Sequence, residues 1–371
     1  MYLLDLPSDI HEHIATFLIN CLPYKCTDVL RHTQSDNRKK LHNCKISLKI
    51  VNNVFKDIID NYGCYYKKGI ISLQRRYASS MAFSPCGKYI AISEGNYGIR
   101  ILDINSGREM KTFDTCNNSV IVTVAWYKQY LIGSGHRWAE YGANTHCLYI
   151  YIWNVNTGQL MRILKDISIG INWIECNEFS PCGNYIAAGG GDTCVRLWKI
   201  SNVSNDVYQI YKVHSNTVRS IAFSPNGTRI VSGGVDYKVC VWDISQGMLI
   251  WTKEHNKIVN SVAWNGNYIV SGGDDYCACL WDGNTGEKRN FTESNMRVTA
   301  VVFSLDGKCV VLSGFKKCQL RIWSIIDNKV YKIKVPNCDS NILYVTSLAW
   351  FNENIVIGDN LGKIHLIKYH T

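Results

Sequence analysis

Residues 218–254 run VRSIAFSPNGTRIVSGGVDYKVCVWDISQGMLIWTKE, and this stretch decides the fold. Val218–Ser224 alternates apolar and polar residues, and Pro225-Asn226-Gly227 turns the chain. Arg229–Gly233 alternates again, Val235-Asp236-Tyr237 turns, Val239–Ile244 alternates, Gln246-Gly247 turns, and Leu249–Glu254 makes a fourth run. Period-2 alternation bounded by Gly, Pro and Asp marks short β-strands joined by tight turns, so the stretch predicts one four-stranded antiparallel sheet.

The unit recurs. The aromatic residue closing its first strand appears as Phe83, Trp126, Phe179, Phe223, Trp264, Phe303 and Trp350, at steps of 43, 53, 44, 41, 39 and 47 residues. The turn after it is near-identical in Ser84-Pro85-Cys86-Gly87, Ser180-Pro181-Cys182-Gly183 and Ser224-Pro225-Asn226-Gly227, which hold half of the six prolines. Ser304-Leu305-Asp306-Gly307 and Asn265-Gly266-Asn267 are looser versions. A tryptophan closes the third strand at Trp153, Trp198, Trp242, Trp281 and Trp323. Seven copies from about Tyr77 onward mean one supersecondary unit repeated to bury a continuous core. With Trp-Asp at 242–243 and 281–282, the unit resembles the WD repeat. That resemblance implies an all-β, seven-bladed propeller over residues 69–371.

The dipeptide departs to Leu102-Asp103, Trp153-Asn154, Trp198-Lys199 and Trp323-Ser324, and Leu366-Ile367 stands for it in the seventh unit. His214, Ser232, Asp236 and Trp242 match the buried hydrogen-bonded tetrad of the WD family, as do His255, Ser271, Asp275 and Trp281. His and Asp satisfy one another while Ser and the indole N–H complete the chain. The same residue types build a hydrolase triad. Here, however, the set occurs twice at equivalent places, and each Ser lies inside an apolar strand rather than on an exposed elbow. The third unit has Asp192 but Ala188 in place of the Ser, so its network is incomplete.

The chain stops after only three strands of the seventh unit, Lys363–Tyr369 being the third. Upstream of the first unit lies an unassigned strand candidate, Ile70–Gln74. Pairing it as the outer strand of the last blade removes two sheet edges, so it is expected to close the ring.

Apolar residues make up 46% of the 371, enough for one large propeller and a small extra domain. The start lacks the basic region of a signal peptide and no stretch resembles a membrane span. The expectation is an intracellular protein, cytoplasmic or nuclear, with free thiols among its sixteen cysteines. Cys277 and Cys279 share a strand face, but no second ligand pair is near, so two core thiols are expected rather than a metal site. No cofactor is implied: there is no HExxH helix or phosphate loop, and His11-Glu12-His13 lacks the spacing of a zinc helix. The net charge is +10, part of it in Arg38-Lys39-Lys40, but no basic stripe interleaved with aromatics marks a nucleic-acid binder.

Residues 1–64 read differently. Leu6-Pro7-Ser8-Asp9 suits a helix start, and Ile10, Ile14, Phe17 and Leu18 form one apolar stripe. Leu48, Val51, Val54, Phe55, Ile58 and Ile59 form a second. A small α-helical domain follows from these two stripes. It resembles an F-box in Leu6-Pro7-Ser8-Asp9-Ile10, in Ile14 and Phe17-Leu18, and in Ser47–Ile58. It departs from that family in a long polar middle and in Asn52 where Cys is usual. The alternative is a helical cap that merely packs on the propeller.

An F-box before a WD propeller resembles the substrate receptors of cullin–RING ubiquitin ligases. The resemblance implies a non-catalytic protein with two protein partners: the ligase adaptor subunit, held by Leu6, Pro7, Ile10 and Ile14, and a substrate protein held by the propeller. A general scaffold with no ubiquitin role is the alternative. Richness in Asn, Ile, Lys and Tyr resembles the output of an AT-rich genome, such as that of an amoebal giant virus or a protist. Substrate contacts are expected from Trp138 and Tyr141, in an insertion that lengthens the second unit, and from Arg219 and Lys316. Those two cations face Glu175, too few for a phosphate clamp, so mixed polar and aromatic contacts are expected.

Overall fold

The structure, a computed structural model, describes residues 64–72, 78–114, 119–137, 147–166, 173–201, 207–314, 319–335, 345–360 and 363–370. The segment expected to form a helical F-box-like domain, with Leu6, Pro7, Ile10 and Ile14, lies outside them.

Seven four-stranded antiparallel sheets form. Each is a meander whose strands are adjacent in both sequence and space, except the last. Blade 4 shows the pattern with Val218–Phe223, Arg229–Gly234, Lys238–Asp243 and Leu249–Glu254. First strands neighbour one another around the ring, and that of blade 1, Ser80–Phe83, also meets that of blade 7, Val345–Phe351. The protein is an all-β seven-bladed propeller.

Blade 7 takes its outer strand from the other end of the described chain. Cys64–Ser72 runs antiparallel to Lys363–His370, pairing Ile70 with His365 and Ser72 with Lys363. The expected closing strand Ile70–Gln74 is therefore paired as expected over Ile70–Ser72, its last two residues lying outside the described ones, and it starts earlier than expected. It begins at Cys64, before the expected propeller boundary at 69, and the described strand ends at Ser72. A bulge between Lys67 and Gly69 lets pairing continue back to Cys64, opposite His370. The register also corrects the seventh anchor. Ile355 pairs with Ile367 as Ile230 pairs with Trp242, so the tryptophan position is Ile367, followed by Lys368, rather than Leu366.

The core lies between blades. Trp153, Trp198, Trp242, Trp281 and Trp323 are all buried in clusters that join neighbouring sheets. The glycine pairs ending second strands follow from this packing. A Cβ on Gly233 would sit 2.6 Å from Val259 Cγ1, and one on Gly272 would sit 2.3 Å from Val298 Cγ1. Only glycine lets the next blade approach that closely.

The first-strand aromatic follows the length of the turn after it. Blades 1, 3, 4 and 6 have Phe and a longer turn. There Ser84, Ser180, Ser224 and Ser304 accept from the backbone N–H five residues on, at 2.9–3.0 Å. Blades 2, 5 and 7 have Trp and a two-residue hairpin. Trp126, Trp264 and Trp350 donate their indole N–H to the carbonyls of Lys128, Gly266 and Asn352, at 2.9, 3.3 and 2.6 Å. A side chain thus ties down the turn in both cases, the serine by accepting from a backbone N–H and the indole by donating to a carbonyl.

Candidate functional site: buried networks and a protein-binding face

In blade 4, the indole N–H of Trp242 donates to Ser232 Oγ at 3.0 Å, and Ser232 lies 2.8 Å from His214 Nε2. His214 Nδ1 lies 2.9 Å from Asp236, whose other oxygen accepts from the Ser215 N–H at 3.0 Å. Blade 5 repeats the arrangement. Trp281 donates to Ser271 at 2.7 Å, Ser271 lies 2.6 Å from His255, and His255 lies 2.9 Å from Asp275. With neutral imidazole the chain runs one way, indole to hydroxyl to imidazole to carboxylate, and every donor is used.

Burial pushes each imidazole down, but its hydrogen bond to the carboxylate prevails and both His214 and His255 are pushed up to about 9. Burial pushes Asp236 and Asp275 up, but the histidines and backbone N–H groups hold both below the usual carboxylate range. Ser232 and Ser271 are 0% exposed. A hydroxyl sealed from solvent and bonded to an indole cannot reach a substrate carbonyl, so neither set is a hydrolase triad. The networks pin the strand-connecting loop to the turn after the second strand.

Other blades fill the same space differently. The residue two before the third-strand anchor is Cys240 or Cys279 in blades 4 and 5, which leaves room for the imidazole. In blade 3 that position is Arg196, which pairs with Asp192. Trp198 Nε1, facing Ala188 instead of a serine, has no hydrogen-bond partner among the described residues. In blade 1 Arg100 meets the buried Glu94 at 2.8 Å, and in blade 7 His365 meets the buried Asp359 at 2.8 Å. Blade 3 carries one further ionisable group at its seam with blade 4. Glu178 stands where the other six blades have Ala or Val, and accepts from the Phe223 N–H at 2.7 Å. Burial pushes its carboxyl up to about 8.

The same pinned turns form one face of the ring, together with the starts of the first strands. Arg219 lies there, partly exposed, with Nη1 3.6 Å from Glu175 Oε2. Trp138, Tyr141 and Lys316 lie outside the described residues. Four aromatic and charged features missed in the sequence share that face with Arg219. Trp173 donates its indole N–H to Glu175 at 2.7 Å. Arg297 lies 3.8 Å from Asp274, which also accepts from Asn260 at 2.8 Å. Tyr237 and Tyr276 follow the tetrad aspartates at φ of 72° and 65°, and are 46% and 44% exposed. A left-handed backbone costs a bulky residue about 1 kcal/mol or more, so two exposed tyrosines held there point to use rather than packing. The signal was legible as Asp-Tyr repeated at 236–237 and 275–276.

Three segments match the family WD40, described as WD domain, G-beta repeat: residues 166–199, 205–243 and 247–282. They hold the first three strands of blades 3, 4 and 5, the last two with complete tetrads. No curated protein matches the chain. The protein is a seven-bladed β-propeller in which these three segments match the WD repeat, and they lie beneath the face that carries Arg219, Tyr237 and Tyr276. WD-repeat propellers are protein-interaction modules that bind protein partners, and they are in general non-catalytic scaffolds.

Proposed function

We propose that the protein is the substrate-recognition adaptor of a cullin–RING ubiquitin ligase. Residues 1–64 hold the ligase's adaptor subunit through Leu6, Pro7, Ile10 and Ile14, and the propeller face holds the substrate protein. The observation that carries the substrate half is the face itself: exposed Trp173, Tyr237, Tyr276 and Arg219, over pinned turns. Such aromatics bury much area for little lost entropy. The adaptor half rests on the Leu-Pro helix start and its apolar stripe preceding a propeller. Ubiquitin transfer would gain from proximity alone, through a raised effective concentration of substrate at a loaded enzyme.

Phosphate is not the recognised group. Arg219 stands opposite Glu175 and Arg297 opposite Asp274, so neither cation faces the ring surface unopposed. Trp138, Tyr141 and Lys316 are further substrate contacts in this reading. Affinity purification from cells tests the proposal. Recovery of a cullin with its adaptor, lost in the Leu6→Ala/Pro7→Ala variant while the propeller still melts cooperatively, is the expected result. A wild-type protein that recovers no such adaptor is a general scaffold instead. Arg219→Glu should weaken the recovered substrate, and phosphatase treatment should leave its affinity nearly unchanged.

A further inference from the structure

The opposite end of the ring gathers the turns after first and third strands. There a cleft of about 670 Å³ opens between blades 1 and 2. Its walls are Tyr89, Ile101 and Met110 on one side and Trp126 and Val155 on the other. The cause is the short hairpin of blade 2. Lys128-Gln129 replaces the longer Ser-Pro turn, so less chain overhangs the seam. Blade 5 has the same short hairpin, and its seam with blade 4 also opens, to about 290 Å³. That second cleft is lined by polar groups, and Arg229 bridges it to Asn284 at 2.7 Å. The first cleft is apolar at its base and Met110 is more than half exposed, in the size range of pockets that take side chains of a ligand.

Its charge is one-sided. Lys111 and Lys128 line it and no carboxylate does. Lys111 is held by the Val155 carbonyl at 2.8 Å, whereas Lys128 is exposed beside Tyr127. Lys88 stands over the Tyr89 ring on the opposite rim, 5.3 Å from its centroid. Asp103, which acts on Lys88, is occupied by the Ser106 N–H and hydroxyl in its own turn. We infer that this cleft is a second docking site, for an extended segment of a partner protein that places a bulky apolar side chain between Met110 and Trp126 and an adjacent Asp or Glu against Lys128 and Lys88. It is independent of the face that carries Arg219, because it lies at the other end of the strands.

The fold supplies an internal control. Cys86 lines the cleft, and Cys182 occupies the matching Ser-Pro-Cys-Gly turn of blade 3. Both thiols are exposed, and each is held below the usual thiol range by a neighbouring serine hydroxyl, for Cys182 against a contrary push from burial. Iodoacetamide labelling of the full chain, read by mass spectrometry, should modify both at similar rates. Protection of Cys86 alone in the free protein would mean that the cleft is already covered by this chain or a second copy, and would overturn the proposal. A phage-displayed library of linear peptides is then selected on the wild type and counter-selected on Met110→Glu/Lys128→Glu. Both changed side chains are exposed, and a melting curve checks folding; Met110→Ala/Lys128→Ala replaces the pair if it fails to fold. Enriched peptides should carry a bulky apolar residue next to Asp or Glu. At ten times its dissociation constant such a peptide should slow Cys86 labelling about tenfold and leave Cys182 unchanged, since only the unoccupied fraction reacts. No enrichment that depends on Met110 and Lys128, enrichment of basic peptides, or equal effects on the two thiols would each refute the site.

Discussion

Blades 4 and 5 and blades 1, 3 and 7 place polar groups in the same buried gap between the third strand and the turn beyond the second. Blades 4 and 5 bring a histidine in from the loop before the first strand, and a serine links it to the anchor indole. Blades 1, 3 and 7 fill the gap from the third strand itself, with Arg100, Arg196 or His365 against a buried acid. One position chooses between the two. A cysteine two residues before the anchor leaves space for an incoming imidazole, and an arginine or histidine there fills the space itself. The first solution ties a loop to its blade through four residues; the second is a pair within one sheet. Only the first engages the anchor tryptophan, since Trp198 in blade 3 has no partner for its indole N–H among the described residues. A repeat can therefore lose its signature tetrad and keep its fold.

The largest expected effect that separates the two arrangements is that of pH, because it acts on both tetrads at once. A histidine whose folded pKa is raised contributes stability that is complete below its unfolded value near 6.5 and is lost as pH rises through about 9. Each tenfold gain in proton affinity on folding is worth about 1.4 kcal/mol, so across two buried groups the loss amounts to several kcal/mol. Glu178 contributes in the same direction, since a raised carboxyl pKa also makes stability fall as pH climbs towards about 8. Urea midpoints at pH 6.5 and 9.5 should therefore differ more for the wild type than for His214→Gln/His255→Gln, which keeps Glu178. Parallel pH slopes would break the distinction.

Removing half of an ion pair should come next. Asp192→Ala leaves the buried Arg196 guanidinium without its carboxylate, at about 3–5 kcal/mol. Removing Ser232 as Ser232→Ala strands the Trp242 indole N–H and one imidazole nitrogen, at about 1–3 kcal/mol. The smallest effect runs the other way. Ala188→Ser offers Trp198 the hydroxyl that Trp242 has, and should raise stability by about 1 kcal/mol if Arg196 leaves the indole free to use it. Equilibrium unfolding measures all three, and a destabilised Ala188→Ser protein would show that the two solutions cannot share a blade.

Most of the fold was legible because its signals are local. Alternation, Ser-Pro-x-Gly turns and tryptophans marked out seven sheets, and the tetrads followed from the resemblance to the WD family. Four things were less visible. Phe and Trp at the end of the first strand looked interchangeable, although the indole N–H of Trp126, Trp264 and Trp350 caps a short hairpin that Phe could not cap. The pairs Arg100–Glu94, Arg196–Asp192 and His365–Asp359 depend on register across strands, and spacing along one strand does not reveal which side chains converge. The seventh anchor slipped by one residue for the same reason: with no tryptophan to mark it, only the pairing of Ile355 with Ile367 identifies it. On the binding face, the sequence showed Arg219 opposed by Glu175 but not Trp173, whose ring lies against Gly191 and whose indole N–H holds Glu175.

Closure of the ring by Cys64–Ser72 is the claim on which the seven-bladed architecture rests. A protein lacking residues 1–63 keeps that strand, and one lacking residues 1–76 leaves Lys363–His370 as an open edge between the last blade and solvent. Melting the two truncations side by side tests the claim most directly. The expected result is a near-native melting temperature for the first and a markedly lower one, with aggregation, for the second. Equal melting temperatures would contradict it.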